Sequence, residues 1–355
     1  MKALIDKLTK NNNLGRKELI ELLLNLDEEN KHYLHDQARK TTAKVYSRKI
    51  FLRGLIEFTN YCRNDCAYCG LRSSNKRCER YRLSAGEILD ITTQGYNLGY
   101  RTFVLQGGED PFFTDKRLTA LISKIKARYP DCAVTLSLGE RSASSYQKLF
   151  EAGASRYLLR HETRSEKLYS KLHPGMSSKA REKCLWDLKK IGFQTGAGFM
   201  VGLPSQTTED YVADLLFLKE LEPHMVGIGP FIPHQDTPLS LASSGDPELT
   251  CIMLSLTRLL LPEVLLPATT ALGSVHSRGW EKGLQAGANV LMLNLSPPEI
   301  RKKYTLYNGK TSIPDEARIH LQAVQERIKR TGNIADMGRG DHISLSEAFE
   351  VSTLV

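Results

Sequence analysis

The sequence predicts an α/β chain wound as a complete (β/α)8 barrel of TIM type, preceded by a helical N-terminal extension. Two observations carry this. From residue 51 onward, short apolar segments alternate with longer amphipathic ones, which implies parallel strands joined by right-handed crossovers. Glycine-rich or polar residues also recur at the C-terminal ends of the short segments, the rim where barrel chemistry gathers. Eight segments read as strands: Phe51–Phe58, Thr102–Gln106, Ala133–Leu138, Arg156–Arg160, Thr195–Val201, Met225–Phe231, Leu265–Thr270 and Ala288–Leu293.

The helices between them carry start and stop signals. Ser84 followed by Glu87 fits a capping box. The acids of Thr208-Glu209-Asp210 suit a first helical turn. Gly99, Gly153, Gly192 and Gly287 each follow a helical stretch, where a left-handed cap needs glycine. Before residue 51, Leu19, Ile20, Leu22, Leu23 and Leu24 form an apolar cluster, and Asp27-Glu28-Glu29 suits the start of another helix. The expected organisation is one domain over residues 1–355: N-terminal helices to 50, a barrel core over 51–310, and a C-terminal helix and extension over 311–355.

Composition narrows the function classes. A chain of 355 residues with 41% hydrophobic and 25% charged residues can bury a sizeable core. The net charge is +9, but no run of five or more Lys or Arg occurs and no nucleic-acid module is recognisable, so no nucleic-acid partner is expected. The most apolar run, Cys251 to Pro262, is short and contains Arg258, so no membrane span is expected. The start, Met-Lys-Ala-Leu-Ile-Asp-Lys, lacks the apolar segment of a secretion signal. Seven cysteines is an odd number, which fits a reducing compartment, and the expectation is cytoplasmic.

Three of those cysteines, Cys62, Cys66 and Cys69, stand as Cys-x3-Cys-x2-Cys directly after the first strand. Structural zinc usually takes four ligands, often from two separated pairs, and no second pair follows. Three thiolates on a cubane iron–sulfur cluster would leave one iron open to a small molecule. Composition alone leaves iron and zinc both open. Cys78, Cys132, Cys184 and Cys251 are scattered in or near apolar segments and read as small buried hydrophobes.

Later strand ends add polar candidates. The second is followed by Gln106-Gly107-Gly108-Glu109, where paired glycines let backbone approach a ligand or simply make a tight turn. The third ends in Ser137-Leu138-Gly139-Glu140 and the fourth in Arg160-His161-Glu162-Thr163. Taken as residues alone, Arg160, Glu162 and Arg181 read as a rim salt-bridge cluster. His161, His234 and Met200 read as satisfied core residues.

The cysteine pattern, with Tyr68 before the last cysteine, resembles the signature of radical S-adenosylmethionine (SAM) enzymes. Further segments, in order, resemble the HydE family of [FeFe]-hydrogenase maturases: Glu57-Phe-Thr-Asn-Tyr-Cys, Val104-Leu-Gln-Gly-Gly-Glu-Asp, Tyr157-Leu-Leu-Arg-His-Glu-Thr, Thr195-Gly-Ala-Gly-Phe-Met-Val-Gly-Leu-Pro, Met225-Val-Gly-Ile-Gly-Pro-Phe-Ile-Pro-His and Pro267-Ala-Thr-Thr-Ala. The match runs from about residue 50 to about residue 310. Biotin synthase and methylornithine synthase lie in the same branch.

The resemblance implies a [4Fe–4S] cluster on Cys62, Cys66 and Cys69, with SAM chelated at the open iron and cleaved to a 5′-deoxyadenosyl radical. It assigns Gly107, Gly108, Glu109, Ser137, Arg160, Glu162 and Arg181 to contacts around SAM. It sets Thr135, Thr269, Thr270, Tyr304 and Tyr307, with Ser137, along the cavity near substrate. It implies a role in building the di-iron dithiolate subcluster from a cysteine-ligated iron carbonyl cyanide substrate. The implied partners are an electron donor of ferredoxin or flavodoxin type and the scaffold maturase HydF. No cysteine follows Cys251, so the second cluster motif of some family members is absent. A methylornithine-synthase-like radical mutase and a non-enzymatic metal-binding module are the alternatives.

Overall fold

Strand β1 (Lys49–Thr59) is buried along nearly its whole length and is the hub of the sheet. It pairs in parallel with β2 (Thr102–Gly107) on one side and with β9 (Val290–Asn294) on the other. Beyond β2 the order continues through β3 (Ala133–Ser137), β4 (Ala154–Leu158), β5 (Gln194–Ala197) and β7 (Met225–Val226). These seven strands curl through about 235° as a half-barrel. This computed structural model describes residues 1–310 and 317–345. Residues 311–316 and 346–355 of the expected C-terminal extension lie outside the described residues.

The expected eight regular strands are met in part. The 195–201 segment divides into β5 and β6 (Met200–Val201), because Gly198 bends the chain at φ 146°. The 225–231 segment divides likewise into β7 and β8 (Gly229–Pro230), and β6 and β8 pair as a small separate sheet. Leu265–Thr270 forms no regular strand. It makes single parallel bridges, Met225 to Leu265 and Pro267 to Val290. Pro267 has no N–H to donate, and the next helix, capped by Thr269, starts at Thr270, so a continuous ladder cannot form.

Helices cover the sheet where the sequence signals them. The N-terminal stretch forms α1 (Lys2–Asn11), α2 (Arg16–Leu24) and α3 (Glu28–Tyr46). Asp27 caps α3 by accepting from Asn30 N at 2.8 Å, and Thr42 Oγ1 ties α3 to the Gly287 carbonyl at 2.8 Å. Helices α4 (Ala85–Asn97), α5 (Asp115–Arg128), α6 (Ala143–Glu151), α7 (Glu166–Leu172), α8 (Ser178–Ile191), α9 (Thr208–Leu221) and α10 (Pro247–Leu260) follow in order. The Ser84–Glu87 capping box forms in both directions, at 3.2 and 2.7 Å. The four glycines expected as caps all have φ between 96° and 107°. The chain continues through α11 (Thr270–Val275), α12 (Gly279–Gln285), α13 (Pro298–Arg301) and α14 (Ala317–Arg330).

One strand was not legible in the sequence. β10 (Ile334–Asp336) pairs in parallel with the first residues of β1. Three residues are too few to show a period, and their partner lies almost the whole chain away. The turn after β10 seals the N-terminal end of the strands. Asp341 Oδ1 accepts from Arg156 Nη2 and from Gln194 Nε2, both at 2.6 Å. Burial raises the Asp341 carboxyl, but the Arg156 charge and the Arg339 hydrogen bond outweigh it and hold it well below the usual carboxylate range.

Arg156 is fully buried, so Asp341→Ala leaves a buried charge short of its partner and should cost about 3 kcal/mol. Chemical denaturation midpoints measure this. Because the folded value for Asp341 is depressed, its contribution is complete above the unfolded value of about 3.9 and fades as pH falls below it. The fall of the denaturation midpoint below about pH 4 should be shallower in Asp341→Asn than in the wild type.

Candidate active site

Between β1 and Tyr81 the chain forms no helix or strand, and side chains join scattered turn hydrogen bonds in holding the backbone. Asn60 Nδ2 donates to the carbonyls of Glu79 and Lys303, both at 2.8 Å, while its Oδ1 accepts from Tyr81 N at 2.8 Å. Arg80 donates from Nη1 to the carbonyls of Asn60 (2.5 Å) and Leu71 (2.9 Å), and from Nη2 to that of Arg72 (2.7 Å). Asp65 accepts from Arg72 Nε at 2.9 Å and from Ser74 N at 3.1 Å. Cys62, Cys66 and Cys69 are held in this loop, and all three line one cavity of about 320 Å³.

As free thiols the three are hard to ionise. Burial pushes all of them up, Cys69 to about 12. A metal centre must therefore displace their protons to bind. Among the described residues no three His, Cys, Asp or Glu side chains are grouped so as to hold a single metal ion. A cubane cluster does not need such convergence, since each thiolate takes its own iron. The four other cysteines divide: Cys132 and Cys251 are buried as expected, whereas Cys78 and Cys184 are half-buried.

The other strand ends close around the thiols. Gly108 lies so near the loop that a Cβ there would meet the Tyr61 carbonyl oxygen at 2.2 Å. Glu109 accepts from Glu140 N at 2.8 Å and from Arg63 Nε at 3.0 Å, so its carboxylate braces the rim. Arg181 donates from Nε to Glu140 at 2.6 Å and from Nη1 to the Arg160 carbonyl at 2.6 Å. Burial disfavours its charge, yet Tyr169, Glu140 and Glu162 together raise it, so it stays a cation. Arg160 Nη2 lies 3.2 Å from Glu162 Oε2, which has no hydrogen-bond partner in the described structure.

Of the residues singled out from the sequence, Gly107, Gly108, Glu109, Ser137, Arg160, Glu162, Arg181, Thr269, Thr270, Tyr304 and Tyr307 all line this cavity. Thr135 does not. It lines a small apolar void beneath, one turn of the pleat further into the sheet, with its hydroxyl unpartnered. Tyr307 is pushed up to about 12 by burial. Two charged wall residues escaped the sequence reading. Glu57, fully buried on β1, forms an ion pair with Lys310 and accepts from Asn294 Nδ2 at 2.7 Å. Its charge within an apolar strand was a signal; Lys310 offered none. His173 also lines the cavity, where its Nε2 is 3.0 Å from the Tyr68 hydroxyl.

The sequence profile of the radical SAM superfamily matches residues 56–218. Over 299 residues the chain is 46% identical to the [FeFe] hydrogenase maturase subunit HydE of Thermotoga maritima, covering 84% of each chain. It is 30% identical over 275 residues to a 3-methylornithine synthase of Methanosarcina acetivorans, covering 77% of each. The crystal structure of methylornithine synthase superposes with a TM-score of 0.84 at 26% identity, covering 94% of this chain and 97% of that one.

The Gly108 contact makes a sharp test. In Gly108→Ala the added carbon must displace Tyr61 and Cys62, whose Cβ would lie only 2.7 Å away. Iron bound per chain after anaerobic reconstitution should fall at least about twofold, while the far-ultraviolet circular dichroism stays that of the wild type.

Proposed function

The chain belongs to the radical SAM superfamily and, within it, to the HydE family of hydrogenase maturases, and from this premise we infer how its cavity works. It is a SAM-cleaving enzyme whose cofactors are a [4Fe–4S] cluster and SAM. We propose that Cys62, Cys66 and Cys69 hold the cluster. One observation carries the assignment: the three thiols open onto the same cavity as Arg160, Glu162 and Arg181. The donor set fits, since soft thiolates suit iron–sulfur and three of them leave a position for SAM. When bound, the reduced cluster and SAM together supply a 5′-deoxyadenosyl radical.

The chain's own residues then bind, orient and exclude water. In this reading Gly107 and Gly108 let the backbone close on the methionine end of SAM, and Ser137 flanks it. The cations of Arg160 and Arg181 attract its carboxylate. Glu162, with a buried oxygen free of hydrogen bonds, accepts from the ribose hydroxyls. Thr269, Thr270, Tyr304 and Tyr307 face the substrate end, and Glu57 and Lys310 join them. Buried tyrosines held above their usual range stay protonated and can donate a hydrogen bond there.

The biological reaction we propose is maturation of the di-iron dithiolate subcluster of [FeFe]-hydrogenase. The substrate would be an iron–cysteine species, the reductant a ferredoxin- or flavodoxin-type donor, and the recipient the scaffold HydF. Identity to HydE of 46%, against 30% to methylornithine synthase over similar coverage, supports this order. The structural likeness to methylornithine synthase keeps a radical amino-acid mutase as the second reading. The same reading takes residues 51–310 as the catalytic core of one domain, and the sheet as a barrel completed through the bridged 265–268 segment. No helix among the described residues is long and apolar enough to cross a membrane, and we propose a cytoplasmic site of action.

Replacing Cys62, Cys66 or Cys69 by Ala should reduce reconstituted iron to background and abolish 5′-deoxyadenosine release under dithionite. SAM cleavage by the triple variant at the wild-type rate would falsify the cluster assignment. Incubation with lysine separates the two reactions: a methylornithine-type product would favour the mutase, and its absence alongside active SAM cleavage favours the maturase.

A further inference from the structure

The loop after β4 carries Arg160 and Glu162, and it is built on a buried pair that does not line the cavity. His161 and Asp214, from α9, are 2% and 0% exposed. His161 Nε2 lies 3.2 Å from Asp214 Oδ1, and its Nδ1 faces the Gly198 amide nitrogen at 3.4 Å. The amide can only donate, so Nδ1 accepts and Nε2 carries the proton toward Asp214. The same aspartate oxygen accepts the Arg164 amide at 2.6 Å. One carboxylate thus ties together the end of β4, the approach to α7 and, through the imidazole, the end of β5.

What this knot holds is an unusual backbone. Glu162 has φ 68°, a conformation uncommon for a residue with a side chain. Its amide donates to the Gly198 carbonyl at 3.0 Å, and its own carbonyl accepts from Met200 N at 3.1 Å. Gly198 packs tightly against the neighbouring strand end, where an added Cβ would meet the Gly227 carbonyl oxygen at 2.0 Å. Releasing His161 would let the Glu162 backbone relax. Its carboxylate would then turn away from Arg160 and the cavity.

The pair is a poor device for stability alone. Asp214 Oδ2 has no hydrogen-bond partner in the described structure, and burial pushes the carboxyl up and the imidazole down to about 3. Two apolar side chains would fill the same space without that desolvation cost. Its use lies in direction, since an imidazole with one donor and one acceptor fixes two segments at set angles.

We propose that Asp214, acting through His161, is a positioning residue for SAM binding: it holds the left-handed turn at Glu162 so that Glu162 and Arg160 face the cavity together. This rests on the reading of those two residues as SAM contacts. The test uses anaerobically reconstituted, full-length enzyme, with 5′-deoxyadenosine release followed under dithionite against SAM concentration. Asp214→Leu removes the acceptor, and Asp214→Asn keeps one. The expected result is a KM for SAM raised about tenfold in Asp214→Leu and within about threefold of wild type in Asp214→Asn, with iron per chain unchanged in both.

A soluble Asp214→Leu enzyme whose KM stays within about twofold of wild type overturns the proposal. So does a loss of iron that parallels the loss of activity, which would mark a general structural role. If Asp214→Leu does not fold, His161→Phe is judged by the same criteria. Glu162→Ala is measured alongside. A raised KM in Glu162→Ala with none in Asp214→Leu sinks the positioning role alone, whereas an unchanged KM in Glu162→Ala removes the SAM-contact reading beneath it.

Discussion

The cysteine loop has no regular secondary structure, so its shape depends on the hydrogen bonds that Asn60 and Arg80 make to its backbone. Buried carbonyls and amides must find partners, and in helices and strands the backbone supplies them. Here isolated backbone bonds such as Ser73 N to Asn64 O share the task with the Asn60 and Arg80 side chains, which span residues 60 to 81 and reach across to Lys303. The loop is therefore defined by protein contacts before any metal is considered. That in turn lets Gly108, just after β2, pack closely against the loop, and lets the loop's own Gly70 pack against the Thr305 carbonyl after α13.

A second chain of contacts runs along the rim. Arg63 pairs with Glu109, Glu109 accepts from the Glu140 amide, Glu140 accepts from Arg181, Arg181 donates to the Arg160 carbonyl, and Arg160 pairs with Glu162. Single exposed pairs of this kind contribute little. Joined and partly buried, they set the mutual positions of the ends of β2, β3 and β4. The opposite end of the sheet is treated differently: Arg156, Gln194 and Asp341 fill it with a hydrogen-bonded polar cluster under β10.

Much of the fold was legible because its signals are local. The Ser84 capping box, the left-handed glycines and the alternation of strands with helices depend on residues a few positions apart, and these appear where the pattern puts them. The failures have physical causes too. Gly198 bends one apolar segment that reads as a continuous strand, a second divides between Val226 and Gly229, and Pro267 prevents a ladder where hydrophobicity alone suggested one. β10 is too short to register as a pattern.

For the site, the sequence by itself determined the candidate residues: three cysteines on one loop, with no fourth at matching spacing, and the glycine and Arg–Glu rim after later strands. Only the tertiary structure decided which polar groups meet. It moved Thr135 below the cavity, paired Glu57 with Lys310 across 253 residues, and joined His161 to Asp214 behind Glu162. Caps and ligand spacings are set by chain neighbours, so they can be read along the chain. The meeting of side chains across a curled sheet depends on strand register and on the paths of distant loops, which no local pattern encodes.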